Sequence, residues 1–281
     1  MNGSVPTLTE LAVEVLTTAD ARAKCAVSRR NAKLWFDSVE NGNPLPLGNA
    51  KAPLRPARPE KPEQLDPRDV PRRRPGTAAG RIALLHAIAH IELNAVDLHW
   101  DIIPRFAHIK MPRGFYDDWV KAADDESNHF GLVADCLEAL GSHYGALPAH
   151  AGMWRAAEDT VDDFSGRLAV VPMVLEARGL DVTPSMIGIF EKAGETQALN
   201  ALGIIYAEEV SHVAYGSKWF HFLCGRHDHD PKEAFHALVR QYFNGALRPP
   251  FNEEKRAEAG IPPDFYWPLA DEAENRRGTA K

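Results

Sequence analysis

Apolar residues recur at helical spacing along most of this chain, and the pattern fails in one long stretch only. Residues 7–38 read as helix, opened by Thr7 and Glu10 at the spacing of a capping box, in which hydroxyl and carboxylate satisfy end-of-helix amides. From Asn41 to Pro75 the periodicity vanishes and prolines crowd in (PLPLGNAKAPLRPARPEKPEQLDPRDVPRRRP). Proline fixes φ and lacks a donor, so this stretch is expected to be extended, either as a linker or as an arm lying across the domain. Helical periodicity then returns over about 77–104, 115–140 and 152–180. Pro172 should kink or split the last of these, and Thr183-Pro184 is expected to open a short helix. A further long helix spans about 195–224 and stops at Gly225, and Asp230-Pro231 opens another to about Asn244. The final segment, with PPDFYWP, reads as irregular and surface-attached.

The expectation is an all-α fold: an up-down four-helix bundle over residues 77–225. An N-terminal helical segment (1–40) and the Pro-rich arm (41–76) precede it, and a C-terminal helix with an irregular tail (226–281) follows.

Two of the bundle helices carry the same pattern, Glu126-Ser-Asn-His129 and Glu209-Val-Ser-His212. Residues three apart on a helix differ by about 60° in direction and one turn in height, so the two side chains can grip one ion. Both pairs fall on apolar stripes: Trp119, Ala122, Ala123, Phe130, Val133 and Leu137 around the first, Leu202, Ile205, Tyr206, Val213 and Gly216 around the second. Glu92 and Glu176 lie in similar settings on the other two helices. Buried ionised carboxylates are costly unless compensated, and a divalent metal compensates them. A lone Glu-x-x-His is commonplace and a lone Glu on an apolar stripe can pair with an arginine, here Arg178. The ordered set is far more specific: Glu92 to Glu126 is 34 residues and Glu176 to Glu209 is 33, so each helix pair supplies a Glu and then a Glu-x-x-His. Four glutamates and two histidines from four helices is the donor set of carboxylate-bridged two-metal bundles.

The blocks AHIELNAVDLHWD, DDESNHF, VVPMVLEARGLD and YAEEVSHVAYGSKWF resemble the signature blocks of a bacterial family of ferritin-like proteins of unassigned function. The resemblance covers roughly residues 77–225. It implies a ferritin-like fold and metal ligands at Glu92, Glu126, His129, Glu176, Glu209 and His212. Together with the oxygen and imidazole donors it favours two iron ions, with manganese second and zinc third.

Other ionisable residues lie close to these motifs. Asp125 and Glu208 lie four residues before a histidine, but their phase puts them off the apolar stripe. His90 points about 200° from Glu92, and His99 lies two turns along as a polar lining group. Asp97, Asp101 and Asp125 are candidates to hold the outer nitrogen of a ligating histidine. Tyr206, one turn before Glu209, is the candidate catalytic side chain; a core tyrosine with a satisfied hydroxyl is the competing reading. The turn Arg226-His-Asp-His-Asp230 has metal-like composition but follows a helix end.

Thirty-two basic against 39 acidic residues give a formal charge of -7, which disfavours a nucleic-acid partner. Arg72-Arg73-Arg74 reads as a solvated linker. Cys25, Cys136 and Cys224 follow no ligand or disulfide spacing. No leader and no membrane-length apolar run is evident, so a cytoplasmic protein is expected. The functional expectation is an oxygen-dependent oxidoreductase or hydroxylase taking a small-molecule substrate and O2, served by an electron-donor protein and forming a homodimer. Ferroxidase-type metal handling, hydroxylation of modified tRNA and peroxide dismutation by manganese are the alternatives.

Overall fold

The computed structural model describes residues 5–66, 69–71, 74–150 and 152–278, with side chains to residue 275. Arg72 and Arg73 lie outside the described residues. The chain is overwhelmingly helical and divides into two compact units, residues 1–152 and 153–281. Among the described residues, no helix is long and apolar enough to cross a membrane.

In the first unit the expected single N-terminal helix is two: α1 (Leu8–Thr17) and α2 (Ala21–Glu40). The capping box opens α1, with the Glu10 carboxylate accepting from Thr7 N at 2.8 Å. Asp20 ends the continuity because its carboxylate caps α2, accepting from Ala23 N at 2.8 Å. Helices α3 (Ala78–Arg105) and α4 (Arg113–Ala139) form a long hairpin and make the most extensive packing in the unit. The α3 residues from Leu85 to Pro104 are buried almost without break, as expected of a helix apolar nearly all round.

The Pro-rich segment is extended and lies across this unit. Leu8 N and Thr9 N donate to Pro46 O and Leu47 O, both at 2.9 Å, and Ala57 N donates to Leu16 O at 2.7 Å. Gln64–Leu65 (β1) pairs in parallel with Ala149–His150 (β2). A buried ion pair, Lys24 with Asp97, ties α2 to α3, and the same ammonium donates to Ala57 O at 2.9 Å. Burial pushes the nearby Cys25 thiol up to about 12, and all three cysteines are free and buried.

The second unit begins with α5 (Gly152–Asp159) and α6 (Phe164–Val170). The helix expected over 152–180 is broken at residues 160–163, ahead of Pro172. The chain widens into a π-helical turn, Val171–Glu176, and continues as α7 (Ala177–Ala193). Proline cannot fill an α-helical bond to the residue four back, and the wider turn accommodates it. Pro184 likewise opens no new helix but sits inside α7. Its missing N–H would have served Leu180 O, which accepts instead from Asn252 Nδ2 at 3.2 Å.

Gly194 (φ 70°) closes α7, and α8 (Thr196–Arg226) runs through Gly225 rather than stopping there. The helix opened by Asp230-Pro231 is α9 (Pro231–Tyr242). The tail is not irregular: α10 (Glu253–Glu258) is followed by α11 (Pro263–Gly278), which starts at PPDFYWP. Phe265, Tyr266, Leu269 and Ala270 are buried at helical spacing, and packing of that face overrides the prolines. A buried pair, Arg256 with Asp181 (2.7 and 2.8 Å), binds α10 to α7.

Candidate metal centre

Three of the expected ligands converge within the first unit. Glu92 comes from the middle of α3, Glu126 and His129 from α4, with 3%, 0% and 0% exposure. His129 Nδ1 lies 3.3 Å from Glu92 Oε2 and 3.4 Å from Glu126 Oε2. One donor atom from each of the three lies within 4.8 Å of the others. Donors about 2 Å from a common ion stand roughly 3–4 Å apart, so small side-chain adjustments suffice to close on a cation. Burial, then repulsion from Glu126, pushes the Glu92 carboxyl well above its ordinary value, with the nearby imidazole opposing. Two buried carboxylates against one imidazole make a site electrostatically short of positive charge, which a divalent cation could supply.

The second unit repeats the motif. Glu176 ends the π-helical turn, Glu209 and His212 lie one turn apart on α8, and all three are buried. His212 Nδ1 stands 3.9 Å from Glu209 Oε2. Arg178 does not serve Glu176: its guanidinium donates to Arg248 O at 2.7 Å and Pro250 O at 3.0 Å, and pairs with Asp181 at 3.3 Å.

Three carboxylates near the motifs each meet a basic side chain of their own unit. Asp97 pairs with Lys24, Asp101 with Arg105 at 2.5 Å, and Asp125 with Lys121. Glu208 is only half-buried. His99 is buried against Trp119, with ring centroids 5.3 Å apart. Tyr206 is half-buried, and its hydroxyl accepts from Asn252 Nδ2 at 2.7 Å. Residues His227 and His229 are exposed, their rings 6.0 Å apart.

A separate cluster, which helical phase alone did not reveal, lies on another face of α3. His90 Nε2 donates to His150 O at 3.1 Å, so its Nδ1 accepts from the Tyr144 hydroxyl at 2.9 Å. His86 Nε2 accepts from Gly145 N at 2.9 Å. Burial pushes both imidazoles down to about 4. With His150 they line a cleft of about 230 Å³ whose remaining walls are apolar. The His86/His90 spacing of four was visible in sequence, but the partner segment at 144–150 was not.

No solved structure matches this chain. A Haemophilus influenzae protein that carries the name "Uncharacterized protein" is 41% identical over 208 residues, covering 72% of each chain. The profile of the family described as "Protein of unknown function (DUF455)" matches residues 17–267. A match over that much of the chain, carrying both Glu-x-x-His helices, shows that the protein belongs to the DUF455 family.

Proposed function

We propose that the two hairpins combine in one ferritin-like four-helix bundle around a two-metal centre. Its ligands are Glu92, Glu126, His129, Glu176, Glu209 and His212. The observation that carries this reading is the convergence of Glu92, Glu126 and His129, fully buried and within 4.8 Å. The second Glu and Glu-x-x-His, buried in the same order in the other unit, supports it.

Glu92, Glu126, Glu176 and Glu209 would hold the ions through their carboxylates, and His129 and His212 through their imidazoles. Oxygen and imidazole donors suit iron first and manganese second. When bound, such a pair of ions would supply two electrons to dioxygen, with the other two coming from the organic substrate and the pair restored by an electron-donor protein. The protein serves as an oxygen-dependent oxidoreductase on an organic substrate. Its own residues hold the ligand geometry, and the apolar α3 and α4 faces exclude water from it.

The test is elemental analysis of the aerobically purified protein beside a Glu126→Ala/Glu209→Ala variant. About two irons or manganese per chain, lost in the variant, is the expected result. Absence of bound metal after anaerobic iron loading would sink the six-ligand centre.

A further inference from the structure

Ligation by Glu176 and His212 demands that their helices stand in a particular register, and the second unit contains a contact that sets one. Segment α6–π-turn–α7 and helix α8 form a hairpin about Gly194, where Glu195 N donates to Phe190 O at 3.1 Å. The two arms therefore run antiparallel. A Cβ built on Gly216 would lie 2.4 Å from both Pro172 Cβ and Pro172 Cγ. Carbon atoms pack at about 3.5–4.0 Å, so any side chain at 216 would drive the π-helical turn outward by about 1 Å. On the same helix, a Cβ at Gly203 or Gly225 would meet nothing within 4 Å.

Pro172 lies four residues before Glu176, and Gly216 four residues after His212. On antiparallel helices those steps run the same way along the axis. Seating the proline ring in the glycine hollow therefore brings Glu176 level with His212. Pro172 also accounts for the π-helical turn, which adds a residue to the helix ahead of Glu176 and rotates the direction in which that carboxylate leaves. We propose that Gly216 is a positioning residue, whose missing side chain lets Pro172 dock on α8 and thereby sets Glu176 opposite His212. The consequence for metal binding rests on the two-metal reading above.

The test uses the full-length, metal-free protein titrated anaerobically with Co(II), followed by visible absorption. The wild type is expected to take two ions per chain. Gly216→Ala is expected to keep its helicity and its first ion, while the second binds about tenfold more weakly or worse with an altered absorption band. Gly225→Ala, which meets nothing, should match the wild type. A metal-independent arm oxidises Glu176→Cys/His212→Cys and maps the disulfide by mass spectrometry. It should form readily, and about tenfold more slowly once Gly216→Ala is added.

Failure of the cysteine pair to cross-link with Gly216 intact overturns the register. Unchanged cross-linking and unchanged Co(II) binding in Gly216→Ala overturn the role of the glycine. If the wild type takes no Co(II) while cross-linking still responds to Gly216→Ala, the metal reading falls and the positioning role stands. Should Gly216→Ala lose its helicity, Gly216→Ala/Pro172→Gly removes both overlapping atoms and should restore it; continued unfolding counts against the contact.

Discussion

Glu92 and Glu126 share a space with almost no water to screen a charge, and burial and the neighbouring carboxylate force the Glu92 carboxyl towards its protonated form. In the metal-free protein that arrangement costs stability, which binding sites commonly sacrifice for function. Glu92→Gln keeps the shape and removes the group whose protonation folding has to impose. It should raise the melting temperature of the metal-free protein by about 2–4 °C while weakening Mn(II) binding about tenfold or more. Differential scanning fluorimetry with and without Mn(II) reads both effects, and a variant that melts lower without metal would contradict the strain. His86 makes a pH argument of its own. Its imidazole accepts from a backbone amide and is pushed down to about 4 from an ordinary 6.5, so the folded chain takes up that proton less readily than the unfolded one. Its stabilisation is complete above about pH 6.5 and is lost as the pH falls towards 4, an effect of about 2 kcal/mol. Thermal melts of metal-free wild type and His86→Gln from pH 7 to 4.5 should show a lower start and a shallower fall in the variant.

Among the elements, a few buried ion pairs tie segments that the apolar pattern leaves unconnected. Lys24 and Asp97 are each about 1% exposed, and the ammonium also holds the arm through Ala57 O. Removing one partner strands a buried charge, so Lys24→Ala should cost about 3–5 kcal/mol in urea unfolding. Lys24→Met/Asp97→Leu, which removes both charges, should recover most of that loss. An equal cost for the double change would show that the pair itself, not the stranded charge, carries the stability. The prolines teach a related lesson. Pro172 and Pro184 stay within helical segments because a π-helical turn and the Asn252 side chain meet the backbone needs they create.

At the scale of the whole molecule, the two-metal reading requires ligands from both compact units. Metal loading should then couple their unfolding. Calorimetry of the metal-free protein is expected to show separable or broadened transitions. Mn(II) at a hundredfold excess over its dissociation constant should merge and raise them, by about 2.7 kcal/mol of added stability. Independent transitions that Mn(II) leaves unmoved would confine any metal to one unit.

How much of this was legible beforehand depended on range. The repeated Glu-x-x-His pairs, the apolar stripes around them and the long helices at 78–105, 113–139 and 196–226 follow from periodicity, because helix faces are set by neighbours three and four residues away. The capping boundaries at Thr7 and Asp230 are local for the same reason. Helical phase could not find what long-range packing decides: the arm laid along α1, the helix in the PPDFYWP tail, and the turn of Arg178 towards Arg248 O and Pro250 O rather than Glu176. Each depends on partners some 40–80 residues away, or on burial that outweighs local preference. The chain's own pattern thus determined which residues carry metal-type chemistry and on which helical faces. Tertiary packing decided that Glu92, Glu126 and His129 meet within 4.8 Å, because that requires two helices brought together along their whole length.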